Sequence, residues 1–392
     1  MALKKRHRIL YTLLVLLLAV SIVLALSFAG NKTKGPIAYL LSLMGNYVQD
    51  TENAIILQQR SDKRISRLQW FQLYNKKPEL LKNPPVILLG VYDNHYIESF
   101  ESIVSFEDSL KTTLPLIHIY QAWGSGEEQQ FPLEQFKSIV KLGSLPVITW
   151  EPWLTAFDEN EFPNLRKPEL RDKNGMADIA KGLYDTYIEK WAIESKNFEK
   201  PFFLRFAHEM NDPYRYPWGP HNNKPADFIK AWKHVYEIFK KAGADNVIWI
   251  WSPHPAYGYF EYFYPGSEFV DYVGVGVLNF GNVASWSQWW TFDEIFGQHY
   301  KELATFGKPI MITEFGCLGW GGDKCQWFME ALNNLPSRYP AVKSIMFFHV
   351  SEDKTTTMQA LNWYIKYDTV CTRIIREEIK KWPLSSKVYY NK

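Results

Sequence analysis

Phe203-Leu-Arg-Phe-Ala-His-Glu-Met-Asn211 and, further along, Ile310-Met-Ile-Thr-Glu-Phe-Gly316 are the stretches on which the reading of this chain turns. Each is a short apolar run with the composition of a buried parallel strand, and each runs out into an acidic side chain followed by polar, glycine or aromatic residues. A carboxylate at the end of a buried strand costs free energy unless the site uses it. Two such ends, Glu209 and Glu314, predict two strands of one sheet aiming a carboxylate pair at one cleft.

Working outward, strand-like runs recur at 86–92, 116–121, 145–150, 202–206, 247–251, 272–277, 309–313 and 342–348. Helical patterns lie between most of them, notably at 176–195, 226–242, 292–306, 323–335 and 357–381. Eight strands with intervening helices predict the α/β fold class, as a (β/α)8 TIM barrel. The count puts Glu209 just after strand four and Glu314 just after strand seven, at the carboxyl ends where such barrels carry their chemistry. Trp123 follows strand two, Trp150-Glu-Pro-Trp153 strand three, Trp251-Ser-Pro-His254 strand five, Asn279 strand six and His349 strand eight. Aromatic and polar groups therefore collect at one rim, as a ring-lined cleft for sugar faces requires. Paired carboxylates at such a rim are the tools of glycoside hydrolysis.

Net charge is +2, with 44 basic and 42 acidic residues, and no basic stripe is interleaved with aromatics, which excludes a nucleic-acid binder. The three cysteines, Cys317, Cys325 and Cys371, have no zinc spacing; a Cys317–Cys325 disulfide is conceivable, and the odd count argues against a disulfide-built scaffold. At the N-terminus Lys4, Lys5, Arg6 and Arg8 precede an uncharged stretch, 9–29, long enough as a helix for a ~30 Å hydrocarbon core. Read as an uncleaved anchor, it leaves the rest of the chain extracytoplasmic; Ser27-Phe-Ala29 leaves open a cleaved signal and a secreted protein. The expected organisation is a signal anchor over 1–30, a juxtamembrane segment over 31–84 whose helical stretch at 47–74 is either a linker or stalk or a helix packed on the barrel, and a catalytic domain over 85–385.

Leu204-Arg-Phe-Ala-His-Glu-Met-Asn211, followed by Tyr216-Pro-Trp-Gly219, resembles the strand-four signature of glycoside hydrolase family 26, which contains β-mannanases, mixed-linkage β-glucanases and some xylanases. Ile312-Thr-Glu-Phe-Gly316 resembles that family's strand-seven nucleophile motif, and Ile148-Thr-Trp-Glu-Pro152 and Asn246-Val-Ile-Trp-Ile-Trp-Ser-Pro253 are also similar. The resemblance implies a retaining endo-β-1,4-type glycanase with Glu209 as acid/base and Glu314 as nucleophile. If Arg205 neighbours Glu314, it holds that carboxylate ionised and assigns the roles. The resemblance also points to His208 beside the bound sugar. Further substrate-binding candidates are Arg205, Asn211, Trp218, Trp123, Trp150, Trp286 and Trp320. Asn211 contacts substrate or caps the next turn, and Glu151 is a third carboxylate at the rim, read first as an ion-pair partner or a cap for the next element and second as a site residue.

No metal and no organic cofactor is implied, since acid, nucleophile and water complete the cycle. The implied partners are a β-linked polysaccharide, the membrane through the N-terminal helix, and polysaccharide synthesis or export proteins if the enzyme trims a cell-surface exopolysaccharide. The alternative is a catalytically silent glycan-binding or scaffold subunit of an export system. Two departures stand out. Asp212-Pro213 occurs where many members have glycine, and Leu278 stands where many carry a tyrosine touching the nucleophile.

Overall fold

In the computed structural model, residues 11–23, 36–97, 99–333 and 335–390 are described. The chain forms two compact units, Met1–Ile56 and Leu57–Lys392. In the first, residues 11–23 are helical, and a helix runs from Pro36 to Arg67 across the unit boundary. Among the described residues no helix is long and apolar enough to cross a membrane. The expected span at 9–29 falls largely outside them at its ends, since residues 1–10 and 24–35 are not described.

The second unit holds eight parallel strands closed into one barrel in chain order. They are β1 (Leu88–Tyr92), β2 (Leu116–Ala122), β3 (Leu145–Glu151), β4 (Phe202–Phe206), β5 (Val247–Trp251), β6 (Tyr272–Asn279), β7 (Ile310–Cys317) and β8 (Val342–Phe348). Every residue of β4, β5 and β7 is buried, because a parallel barrel strand has side chains on one face and helices on the other. The helix layer includes α1 (Glu101–Leu110), α2 (Leu133–Lys141), α3 (Asp185–Phe198), α4 (Pro225–Ala242), α5 (Gln298–Ala304), α6 (Lys324–Leu332) and α7 (Thr369–Lys380). The 176–195 pattern splits at Gly182, whose φ of +86° suits glycine, and the 292–306 pattern opens with one π-turn. The 357–381 pattern is helical only from Thr369, because the Asp368 side chain accepts from the amides of Val370 and Cys371 and starts the helix there. The disulfide joins Cys325 on α6 to Cys371 on α7, and Cys317 is free and buried on β7, so the Cys317–Cys325 pairing is corrected.

The boundary expected at 85 also moves. Leu68, Phe71, Tyr74 and Leu81 are buried together with Val86, Leu88, Leu145, Phe203, Tyr272, Met311 and Met346. Residues 68–81 therefore close the end of the barrel opposite the carboxyl ends of its strands. Each fully buried side chain of this size is worth about 1.5–3 kcal/mol. Arg64 is buried in an ion pair with Glu107 on α1 at 2.6 Å, and also donates to the Leu142 carbonyl. The Tyr272 hydroxyl bonds the Leu81 carbonyl at 2.5 Å. Of the two readings of this segment, stalk or helix packed on the barrel, the packing of 68–81 matches the second, with partners that run from Val86 to Met346.

Strand β7 carries one irregularity that matters. Val275 and Gly276 are consecutive on β6, yet they pair with Ile312 and Glu314. Thr313 is thus an extra residue, a β-bulge, and the pairing with β8 slips over the same stretch. Met311 points into the barrel and Phe315 packs outward on Trp327 of α6. Unbroken alternation from Met311 would turn residue 314 outward. The bulge turns it in.

Candidate active site

Glu209 and Glu314 face one space at the carboxyl ends of the strands. A Cβ placed on Gly276 would lie 3.7 Å from Glu209 Oε1 and 3.8 Å from Glu314 Oε2, so the two oxygens cannot be farther apart than about twice that. A side chain at position 276 would therefore begin in contact with both carboxylates.

The chain bends sharply to present Glu209. Ala207 and Glu209 both adopt left-handed backbone, with φ of 43° and 54°. For non-glycine residues this costs of order 1–3 kcal/mol each and persists only where surroundings enforce it. Here the Glu209 amide donates to the Ser252 carbonyl at 2.7 Å, and the Asp212 amide donates back to the Glu209 carbonyl at 2.9 Å. Asn211 fixes the same corner: its side-chain amide donates to the carbonyls of His254 and Gly258, and its oxygen accepts from the His254 amide at 2.7 Å. Asn211 thus ties the loop after β4 to the loop after β5, and does not cap the turn that follows it.

The unusual Asp212 is also accounted for. Its side chain accepts from the amides of Tyr214 and Arg215, which folds Asp212–Arg215 into a turn and brings Arg215 Nη1 to 4.0 Å from Glu209 Oε2. Gly219 is required below it, since a Cβ there would collide with the Asp212 carbonyl.

Glu314 sits in a different field. Arg205 Nη1, wholly buried, donates to Glu314 Oε1 at 2.7 Å. The hydroxyl of Tyr120, from β2, donates to the same oxygen at 2.8 Å. Burial pushes this carboxyl upward, but the Arg205 charge and hydrogen bond, with the Tyr120 hydroxyl, outweigh it and hold the carboxyl below its usual range. Glu314 is the anionic partner, as its neighbour Arg205 required.

Tyr120 was not among the sequence candidates. Its signal was alternation. His118 bonds Thr149 inside the barrel at 2.7 Å, and Tyr120 lies two residues on, on the same face. It supplies from β2 a hydroxyl to Glu314, while Leu278 packs in an apolar satellite cluster with Leu318, Val350, Leu361 and Trp363. Tyr120→Phe removes one hydrogen bond to a charged group, worth about 1.5–3 kcal/mol. We expect kcat to fall by roughly 10- to 100-fold with KM little changed; a change confined to KM would contradict this role.

His208 Nε2 shares a 3.0 Å hydrogen bond with the Tyr216 hydroxyl and lies 3.9 Å from Glu151 Oε1. Burial, then the charges of Arg205 and Arg215, drive its pKa well down, so it stands neutral. Trp218 is not an open platform. It is 2% exposed, stacks on Tyr216 at 4.6 Å and donates its N–H to the His208 carbonyl. It supports His208 from behind.

Trp123 and Trp150 are corrected as substrate contacts. Both are fully buried; they pack on each other at 4.5 Å, and Trp150 stacks on Trp191 of α3. They face the helix layer because strand alternation sends Trp150 outward while its neighbour Glu151 turns in. By contrast Trp286 and Trp320, on loops after β6 and β7, expose 59% and 46% of their surfaces on the catalytic face.

Comparison with known proteins follows from this geometry. A family model described as "Glycosyl hydrolase family 26" matches residues 173–315, which include both glutamates. The family matched is glycosyl hydrolase family 26. Endoglucanase H of Acetivibrio thermocellus is 31% identical over 291 residues, covering 72% of this chain and 29% of that protein. A mannan endo-1,4-beta-mannosidase of Bacillus subtilis is 28% identical over 267 residues, covering 66% of this chain and 65% of the relative. The chain thus spans less than a third of the endoglucanase and about two thirds of the mannosidase. Among solved structures, a family 26 protein from Muricauda superposes with a TM-score of 0.57 at 16% identity over 85% of this chain and 94% of its own. A family 26 β-mannanase from Bacteroides ovatus gives 0.55 at 14% identity over 77% and 90%. These superpositions speak to the fold.

Proposed function

We propose that this protein is a retaining endo-β-glycanase that hydrolyses internal β-1,4-type bonds of a β-glucan. The observation that carries the reading is the asymmetric carboxylate pair, in which one carboxyl is held anionic by Arg205 and Tyr120 and the other faces the same small space. Retaining pairs lie ~5–5.5 Å apart so that one carboxylate attacks the anomeric carbon directly. In the first step Glu314 bonds to that carbon as the glycosidic C–O bond breaks, and the Glu209 proton goes to the leaving oxygen. In the second step Glu209 takes a proton from water, the water oxygen attacks the anomeric carbon, and Glu314 leaves. Two inversions give net retention.

The similarity to an endoglucanase favours glucan, and the mannosidase similarity makes mannan the rival polymer. Trp286 and Trp320 are the exposed rings best placed to stack on the polymer outside the cleavage point. The Cys325–Cys371 disulfide suits an oxidising compartment. With the basic flank and apolar stretch at the N-terminus, it supports an extracytoplasmic, membrane-tethered domain and a role in trimming a cell-surface polysaccharide beside its synthesis or export proteins. Incubation with mixed-linkage β-glucan, soluble cellulose, β-mannan and xylan, with reducing ends as readout, tests the proposal. Release from glucan well above the others is expected; release from mannan alone would reassign the substrate, and no release from any polymer would favour the scaffold subunit.

A further inference from the structure

Glu151 is the third carboxyl at this site, and the hydrolytic cycle does not use it. It is the last residue of β3, turned inward by the alternation that turns Trp150 out, with its side chain 15% exposed. Oε2 accepts from Trp153 Nε1 at 3.0 Å, and Oε1 is 3.9 Å from His208 Nε2. The charged and titratable groups around it are Arg205 on β4, His208 and Arg215 on the following loop, and Glu314 on β7, with the phenols of Tyr92, Tyr96 and Tyr216. None of these is a bonded cation. Arg205 is committed to Glu314, Arg215 stands by Glu209, and His208 is neutral.

We propose that Glu151 is a sugar-binding residue that works in its neutral, protonated form, taking a ring hydroxyl on the side of the cleavage point that Glu314 attacks. Trp153 already supplies the donor to Oε2, so the proton belongs on Oε1, a donor free for a ligand on this partly exposed side chain, whose neighbour His208 Nε2 stands 3.9 Å away, beyond hydrogen-bond reach. Burial, reinforced by the Glu314 charge and opposed by Trp153, Arg205 and Arg215, pushes this carboxyl up to about 7. Glycan binding is therefore full below neutrality and is lost as pH rises through 7, when a second buried anion forms beside Glu314. The inference rests on the glycan-cleft reading above.

The test is calorimetric binding of cellotetraose and mannotetraose to Glu209→Gln protein, which keeps the Glu314 charge but cannot protonate the leaving oxygen. One ionisation near 7 predicts Kd weakening about tenfold from pH 6 to pH 8. Adding Glu151→Gln, whose amide presents an oxygen to Trp153 and an N–H to the cleft, is expected to hold Kd near its pH 6 value throughout. Adding Glu151→Leu instead is expected to weaken binding equally at both pH values. A pH-independent Kd in the Glu209→Gln protein, a pH dependence surviving Glu151→Gln, or no binding of either tetraose at pH 6 overturns the assignment. The expected binding pattern from a protein that cleaves no polymer would uphold Glu151 and sink the hydrolase reading.

Discussion

Replacing Glu314 with alanine is expected to lower hydrolysis on the order of 10⁴-fold, because it removes the carboxylate held ionised to form and release the covalent bond at the anomeric carbon. The removed carboxylate leaves room on the attacked face, so added azide is expected to restore bond cleavage. Azide would bond to the anomeric carbon once, without a second displacement, and the product would carry inverted configuration. NMR of the azide adduct reads this directly. Full activity without azide, or a retained adduct, would take the nucleophile role away from Glu314.

The second large effect belongs to Arg205. Arg205→Met keeps the volume and deletes the charge, leaving Glu314 buried without its cation. Breaking a buried pair this way costs about 3–5 kcal/mol, because the desolvation of the remaining charge is no longer offset. With Arg205 absent, burial dominates and the Glu314 carboxyl rises. The acidic limb of the pH profile marks where Glu314 gains its proton, so it should move to higher pH, and activity near neutrality should fall by roughly 10²- to 10³-fold. The sign discriminates: loss of activity with an unmoved acidic limb would mean that Arg205 supports the fold and does not set the nucleophile's charge.

How much of this was legible in the residues depends on which physical signal each position carries. The barrel was legible, because eight buried strands announce themselves as apolar runs, and the observed strands begin and end close to the expected ones. Arg205 was legible because a charged residue inside β4 needs a partner, and Glu314 supplies it at 2.7 Å. The tryptophans misled for a reason of parity. Aromatic type drew attention to Trp123 and Trp150, but strand alternation decides which neighbour sees the cleft, and it selects Tyr120 and Glu151. Whether the span 57–84 stands free or packs on the barrel was not decidable from its residues, since Leu68, Phe71 and Leu81 meet partners contributed by many parts of the later chain.

The extra residue in β7 was equally hidden, because nothing in Ile-Thr-Glu-Phe distinguishes a bulged strand from a straight one. Its consequence concerns length. Substitution at Thr313 changes a side chain, whereas removing or adding one residue between Met311 and Phe315 exchanges inside for outside along the rest of the strand. A deletion there would preserve every catalytic group in the chain and still send the glutamate into the helix layer. The address of Glu314 is therefore written in the number of residues before it, and a scan by deletion would expose that dependence where a scan by substitution passes over it.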